Sequence, residues 1–374
     1  MAINLSLLKR SFSKAAHTYE QQAYMQNIMA QELCSYLSLA LGKDVYRPYE
    51  DKLSLSSSAK YILAAHSAKS LSTNTDNNNK AVLVSGAESE DWSGAEAAVA
   101  DSSLQSSALE AQDAKKEAAV FNRVLEIGCG PGNFTKILLH NFKVNELCLN
   151  DLSSCMIEKN LASLHSLQKQ DPAFNIAISA ICGNALELNN TKQELAQPFD
   201  ILVSNATFQW FHDLESSLKH LAGFVKNQDI SLVNSKSKAS VDASASASAG
   251  TGTGARAGTR GGRLIAFSSF YEGNFAQIKK LTGVSLNYLT KEQVIRALDN
   301  STIDYQVYFS SHEQYFDSSL ALFRHLKDTG VTALSDVPLT ASAFKELLRS
   351  YQEQYASPKG VCLTWCPYYV VALI

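Results

Sequence analysis

Apolar residues recur along the chain with two different periods. Between Ala15 and Leu41, Met25, Ile28, Met29, Leu33, Tyr36, Leu37 and Ala40 fall close to i, i+3, i+4, i+7 spacing, which predicts a helix. Short apolar runs then replace that pattern: VLEIG (Val124–Gly128), ELCLN (Glu146–Asn150), NIAISAI (Asn175–Ile181), DILVSN (Asp200–Asn205) and RLIAFSSF (Arg263–Phe270). Helical stretches follow most of them, such as FTKILLHNF (Phe134–Phe142) and LESSLKHLAGFV (Leu214–Val225). This alternation predicts an α/β fold, a parallel sheet with helices on both faces. Two further strands, YQVYFS (Tyr305–Ser310) and PYYVVALI (Pro367–Ile374), close the chain. A helical segment over 317–357 precedes the last strand and is expected to cover the active face.

Two stretches carry neither period. Residues 50–118 are rich in Ser, Ala and Asn, and residues 229–261 are nearly all Ser, Ala, Gly and Thr with a few charges. Neither has enough large apolar side chains to offset the entropy of ordering its backbone, about 1–2 kcal/mol per residue. Both are expected to be flexible insertions, tolerable because loop-closure entropy grows only logarithmically with length. The expected organisation is one α/β domain interrupted twice: an N-terminal helical segment (1–49), a first half of the core (119–228), and a C-terminal part (262–374) that includes the covering helices.

Composition narrows the function classes. Of 374 residues, 45% are hydrophobic and 9% aromatic, enough for a sizeable core. Thirty-three Lys+Arg against 36 Asp+Glu leave a net charge of -3, which argues against a globally basic nucleic-acid binder. No apolar run approaches the roughly 18 residues of a membrane span. The start, MAINLSLLKR, places its charges after the short apolar stretch, unlike a secretory signal, so a cytoplasmic protein is expected. The seven cysteines are scattered without a CxxC, so neither a metal site nor a disulfide framework is expected.

The sharpest motif is VLEIGCGPGNFT, Val124 to Thr135. A predicted strand runs into Gly128, Gly130 and Gly132, and a helix follows near Asn133. Glycines let the backbone turn sharply and let a ligand approach the helix N-terminus. The spacing is G-x-G-x-G, not the G-x-G-x-x-G of dinucleotide oxidoreductases. With Glu126 two residues upstream, it resembles motif I of class I S-adenosylmethionine (SAM) methyltransferases. That resemblance implies a Rossmann-like, mostly parallel seven-stranded sheet with a helical lid, and SAM as methyl donor with no metal. It assigns Glu126, Gly128, Gly130 and Gly132 to the cofactor, with Asp151 for the ribose hydroxyls and Met156 against the adenine. Asn184 stands where relatives usually carry Asp, beside Ala185, and Asn205 completes the set. Read alone, Asp151 fits a helix N-cap equally well.

Three segments bear on the methyl acceptor. RSFSKAAHTYEQQAYMQ (Arg10–Gln26) resembles the N-terminal signature of the biotin-pathway malonyl-acyl carrier protein O-methyltransferases (BioC), matching it at Phe12, Ala15, Ala16, Tyr19, Ala23 and Gln26. SNATFQWFHDL (Ser204–Leu214) and LFRHLKDTGV (Leu322–Val331) resemble two further motifs of that family, with smaller echoes in SLNYLT (Ser285–Thr290) and LTWCPYYVVA (Leu363–Ala372). The resemblance implies methylation of the free carboxylate of a malonyl thioester. It makes Arg324 the candidate anchor for that carboxylate, Tyr19 a closing residue over the site, and Gln209 and Trp210 walls of the pocket. Each has a plainer reading: Arg324 as a surface ion-pair residue, Tyr19 as core packing, Trp210 as a helix-anchoring aromatic. The implied partner, acyl carrier protein, is acidic and calls for a locally basic face, for which Lys9, Arg10, Lys14, Lys279, Lys280, Lys291 and Arg296 are candidates. Two other readings stay open: a methyltransferase of a small free acid, and a non-catalytic SAM-binding protein.

Overall fold

The computed structural model describes residues 4–42, 120–171, 174–230, 232, 236–237, 262–330 and 340–374. The first expected insertion, 50–118, lies outside the described residues, as does most of the second. Residues 1–47 and 114–374 form one unit, so the two sides of the first insertion belong to the same domain.

Three helices open the chain: α1 (Leu5–Ala15), α2 (Tyr19–Gln22) and α3 (Tyr24–Ala40). The periodicity predicted one helix from Ala15 to Leu41, whereas the backbone breaks twice. Ala23 leaves helical geometry at φ -78°, ψ 42°. Ala15, Ala16 and Ala23 are all buried at the breaks. The chain turns there to follow the protein surface beneath it, something helical propensity does not record.

The core follows as β1 (Val120–Ile127), α4 (Asn133–Asn141), β2 (Lys143–Asp151), α5 (Ser154–Gln170), β3 (Ala177–Cys182), β4 (Ile201–Ser204) and α6 (Leu214–Ala222). Next come β5 (Lys236–Ser237), β6 (Leu264–Phe270), α7 (Ala276–Thr282), α8 (Lys291–Ser301), β7 (Asp304–Phe309) and β8 (His312–Phe316). The chain ends with α9 (Ser319–Asp328), α10 (Ala341–Tyr355), β9 (Ala356–Ser357), β10 (Gly360–Trp365) and β11 (Pro367–Leu373). Local chemistry starts several of these helices. Asp213 caps α6, Ser318 caps α9, and Thr290 with Gln293 forms a capping box on α8.

The large sheet has the order β3-β2-β1-β4-β6-β11-β7-β5. The pairings of β1 with β2 and β4, of β2 with β3, and of β4 with β6 are parallel, and β11 enters antiparallel between β6 and β7. Seven strands thus make the expected mostly parallel sheet, and the two-residue β5 adds an edge to β7 from within the second expected insertion. A second, three-stranded sheet of order β8-β10-β9 was not anticipated from the sequence.

Both faces of the sheet are covered. On one, α3 packs against α4, β6 and β11 and buries Met25, Met29, Leu33 and Leu37 completely. On the other, Leu214, Leu218 and Leu221 of α6 join Val294 and Leu298 of α8 over Leu125, Ile127, Leu202 and Ile265. Each buried side chain of this size contributes roughly 1.5–3 kcal/mol. All seven cysteines are free thiols. No helix among the described residues is long and apolar enough to cross a membrane.

Candidate active site

Register brings four strand ends level. Ile127 stands beside Asn150 on β2 and Ser204 on β4, and Asp151 stands beside Cys182 on β3. Gly128, Asp151, Gly183 and Asn205 therefore lie along one edge of the sheet, at the carboxyl ends of the strands, where open α/β folds bind ligands.

The three glycines of the loop do different jobs. Gly128 (φ 68°) and Gly132 (φ 104°) adopt left-handed backbone, and a Cβ there would fall 2.0 Å from Thr207 Oγ1 and 2.5 Å from Asn160 Oδ1, respectively. Those two are required by packing inside the protein. Gly130 (φ 52°) and Gly183 (φ 154°) would instead point a Cβ into open space, with nothing within 4 Å. The gap they leave lies next to Asp151, whose Oδ2 accepts from the Gly130 N–H at 3.0 Å.

A buried network supports the loop from below. Glu126 Oε2 accepts from Thr135 Oγ1 at 2.8 Å, and Thr135 Oγ1 accepts from Asn160 Nδ2 at 2.8 Å. Glu126 is 1% exposed and braces the glycine loop against α4 and α5, with its Oε1 a buried acceptor that has no hydrogen-bond partner. Desolvation raises its pKa to about 8, the Thr135 bond opposing this and the charge of Asp151 adding to it. Asp151 is itself raised to about 6 by burial, against the backbone N–H bonds from Ser153, Gly130 and Leu152 that favour its charged form.

The remaining expected cofactor residues fall around the same edge. Met156 is buried at the start of α5. Asn184 is half-buried and tied to its own turn: its Oδ1 accepts from Leu186 N–H at 3.1 Å and its Nδ2 donates to Glu187 Oε1 at 2.9 Å. Ala185 is buried in the short helical turn that follows. Asn205 links three elements, donating from Nδ2 to the Gln26 carbonyl at 2.9 Å and accepting from Ser268 Oγ at 2.6 Å. Next to it, Ala206 has φ 52°, an uncommon conformation for a residue with a side chain.

Beside this edge, over the ends of β4 and β6, opens a cleft of about 350 Å³, its open end included. Six separate parts of the chain line it: Phe12, Tyr19 and Gln26; Ala206, Gln209 and Trp210; Phe270, Asn274 and Phe275; Leu286 and Tyr288; Thr329; and Trp365. Tyr19, Gln209 and Trp210 are thus brought together as expected. Trp210 meets Phe12 edge-on at 5.7 Å between ring centroids, and Phe12 meets Tyr19 at 6.4 Å. Gln209 Nε2 donates to the Ala206 carbonyl at 2.6 Å. Burial, and secondarily the charge of Asp151, keeps the Tyr19 hydroxyl protonated well above the usual tyrosine range, so Tyr19 stands between cleft and cofactor edge.

The N-terminal segment closes over both regions. Lys136 of α4 pairs with Glu20, and Asn133 Nδ2 donates to Asn27 Oδ1 at 2.9 Å. Ser13 Oγ contacts Ser153 Oγ at 2.8 Å, Ser11 Oγ donates to the Gly330 carbonyl at 2.9 Å, and Thr18 Oγ1 to the Asp328 carbonyl at 2.9 Å. The expected cover over 317–357 thus enters the cleft through Thr329, at the end of α9, and is tied to α1 and α2.

Arg324 is the residue the structure does not bring to this site. Leu322, His325 and Leu326 of α9, with Thr329, face inward, which turns Arg324 to the opposite, exposed side of the helix, outside the cleft lining. Among the described residues that line the cleft there is no Lys, Arg, His, Asp or Glu. Sequence reasoning assigned no role to Asn274, Phe275, Leu286, Tyr288, Thr329 or Trp365, although Tyr288 and Trp365 lie in the two smaller motif echoes. No signal in the sequence points to Asn274 or Phe275, which reach the cleft from a loop with Gly273 at φ 101° and Phe275 at φ 56°. Among the described residues no cluster of His, Cys, Asp or Glu could hold a metal ion.

Comparison with known proteins agrees with this geometry. A methyltransferase-domain family model matches residues 125–228, the span from β1 past α6. The malonyl-acyl carrier protein O-methyltransferase of Calditerrivibrio nitroreducens is 29% identical over 251 residues, covering 67% of this chain and 80% of that protein. Its counterpart from Haemophilus ducreyi is 29% identical over 247 residues, covering 66% and 79%. Among solved structures, the YcgJ protein of Bacillus subtilis aligns with a TM-score of 0.40 at 14% identity, over 71% of this chain and 96% of that one. The glycine loop thus lies within a methyltransferase domain, and the sheet, with one reversed strand second from the end of the seven, is of the mostly parallel kind expected for class I SAM-dependent methyltransferases. Over about two thirds of its length the chain is similar to the malonyl-acyl carrier protein O-methyltransferases.

The residues at the strand edge fit SAM. Gly130 and Gly183 leave open space where a side chain would stand, and the Asp151 carboxylate has acceptor capacity beyond its bonds from the Gly130 and Ser153 N–H groups. Gln26 Oε1, a buried acceptor with no hydrogen-bond partner, faces the boundary between edge and cleft.

Proposed function

We propose that this protein methylates the free carboxylate of a malonyl group carried as a thioester on acyl carrier protein, giving the methyl ester. The reaction is the opening step of pimeloyl assembly in biotin synthesis, where the ester masks the acyl group as an ordinary primer for chain extension. The observation that carries this reading, beside the likeness to the malonyl-acyl carrier protein enzymes, is a cleft walled by aromatic and neutral polar side chains, with no Lys, His, Asp or Glu among the described residues that line it. An acceptor that must lose a proton would need such a base, whereas a carboxylate with pKa near 4 is already ionised at pH 7.

Held at the strand edge, SAM would supply an electrophilic methyl group on a positively charged sulfur, which an ionised carboxylate would accept without giving up a proton. The chain's own residues hold the parts in place and keep water away. Asp151, Gly130 and Gly183 receive the nucleoside, and the Glu126–Thr135–Asn160 network fixes the loop that does so. Phe12, Tyr19, Trp210 and Trp365 wall the cleft, so the oxygen and the methyl are held in line where water does not compete. The acidic carrier protein docks outside the cleft, and the exposed Lys9, Arg10 and Lys14 of α1 and Arg324 and Lys327 of α9 suit it, on two elements that are bonded to each other.

Mass spectrometry of purified protein with SAM and malonyl-acyl carrier protein tests this. The expected result is a gain of one methyl mass on the malonyl carrier and none on acetyl carrier protein. Binding of SAM with no transfer to malonyl carrier protein overturns it, and transfer to a small free acid instead moves the substrate class.

A further inference from the structure

We propose that the Tyr288 hydroxyl donates a hydrogen bond to the carboxylate of the methyl acceptor, and that Asn274 is the positioning residue that aims it. This rests on the malonyl-thioester reading and concerns how the cleft meets an anion with no cation among the described residues of its wall.

The direction of each hydrogen bond is forced. Asn274 is 1% exposed on the loop after β6, which is held to the small sheet by bonds from Phe275 N–H to the Thr364 carbonyl and from Tyr271 N–H to the Cys366 carbonyl, both 2.9 Å. The Cys366 backbone N–H donates to Asn274 Oδ1 at 3.0 Å. A backbone N–H only donates, so that end of the amide is the oxygen, and the end that reaches Tyr288 Oη at 2.9 Å is the nitrogen. Tyr288 therefore accepts from Asn274, and its own single proton points elsewhere, from a side chain that lines the cleft. Burial raises the Tyr288 pKa, so the proton stays on the oxygen throughout the physiological range.

Three other polar side chains of the wall are already engaged, and the unpartnered Gln26 Oε1 only accepts, so it cannot hold an anion. Trp365 Nε1 donates to Gln314 Oε1 at 3.0 Å, Thr329 Oγ1 to the His325 carbonyl at 3.0 Å, and Gln209 Nε2 to the Ala206 carbonyl. A phenol also suits the chemistry. A guanidinium fork would grip both carboxylate oxygens and draw charge from each, whereas one hydroxyl holds one oxygen and leaves the other free to attack.

The test compares the parent with Tyr288→Phe, Asn274→Asp and the double variant, measuring kcat and KM for malonyl-acyl carrier protein and the Kd for S-adenosylhomocysteine at pH 8. Tyr288→Phe is expected to lower kcat/KM by about 10- to 100-fold, the range for a hydrogen bond to a charged group, with the Kd within about twofold of the parent. Asn274→Asp keeps the shape but accepts where the amide donated, turning the Tyr288 proton away from the cleft. It is expected to match Tyr288→Phe, and the double variant to be no worse than either single one, which a merely structural role for Asn274 would not produce. A Tyr288→Phe variant within about twofold of an active parent, or one that loses homocysteine-product binding in parallel, overturns the proposal alone. A parent that binds S-adenosylhomocysteine but never methylates the malonyl carrier overturns the substrate reading, and this proposal with it.

Discussion

The cofactor edge and the acceptor cleft are neighbours built on different plans. The edge comes from consecutive strand–loop–helix units: the glycine loop between β1 and α4, Asp151 at the end of β2, Gly183 at the end of β3. Parallel register alone sets them side by side. The cleft draws on six segments spread from Phe12 to Trp365, joined through contacts such as Phe12 on Trp210 and Asn274 on Tyr288. A ligand common to a whole class can be met by backbone geometry, which tolerates sequence change. A particular acceptor must be met by side chains, whose positions depend on everything packed around them.

The sharpest way to break this contrast is at the glycines. Gly128→Ala is expected to cost about 2–4 kcal/mol of folding stability, combining left-handed strain with collision against Thr207. Gly130→Ala has similar strain but an open Cβ position, so its stability loss is expected at only about 1–2 kcal/mol. Its binding of S-adenosylhomocysteine should nonetheless fall by at least about tenfold, because the methyl group fills space the ligand needs. Denaturant melts and calorimetric titration of the two variants measure this, and equal stability losses would remove the distinction between packing and ligand-facing glycines.

Asp151→Asn should weaken S-adenosylhomocysteine by about 10- to 100-fold through loss of charge-assisted bonds. In the parent, affinity is expected to fall as pH drops through about 6, where Asp151 takes up a proton, and the variant should lack that dependence. Trp210→Ala is the matching probe of the cleft. It is expected to lower kcat/KM for the malonyl carrier by about tenfold or more, by admitting water and loosening alignment, with product binding nearly unchanged. Parallel losses of both in either variant would mean that edge and cleft are one energetic unit.

Glu126→Gln reads the buried network through pH. Its carboxyl is raised from 4.5 to about 8 in the folded protein, so the native state holds a proton that the unfolded chain releases between those values. Its contribution is therefore most favourable below pH 4.5, declines across the window from 4.5 to about 8, and stays at its lowest above it. The melting temperature of Glu126→Gln relative to the parent should rise across that window; a constant difference from pH 5 to 9 would show that Glu126 is ionised in the fold.

The smallest effect is expected at Arg324. From the exposed side of α9, Arg324→Ala should leave kcat unchanged and raise KM for the carrier protein by less than about fivefold, an effect that salt erases. A hundredfold loss of kcat would instead return Arg324 to the reacting carboxylate.

Arg324 also marks where sequence reasoning reaches its limit. The alternating apolar runs, the glycine loop and the β2-end acid are local patterns, and each resolved into the expected element, because strand register and loop geometry depend on nearby residues. The break of the N-terminal helix at Ala23, the small sheet β8-β10-β9 and the outward turn of Arg324 depend instead on what lies opposite in space. A motif match placed Arg324 in a functional segment, but the face it occupies is decided by Leu322, His325 and Leu326 turning inward. Glu126 shows the same limit, since the acid two positions before the glycine loop sits beneath that loop once β1 is pleated into the sheet.

By itself, then, the sequence determined the α/β class, the succession of strands and helices along the chain, the glycine loop after β1 and the likeness to malonyl-thioester methyltransferases. All of these are written in short-range periodicity and short motifs. Only the tertiary structure decided which side chains face the acceptor, that no cation lies among the described residues of the cleft wall, and that a backbone amide at Cys366 orients Asn274 and through it Tyr288. Those facts belong to contacts between residues far apart in the chain, where small differences in packing choose the direction of a hydrogen bond.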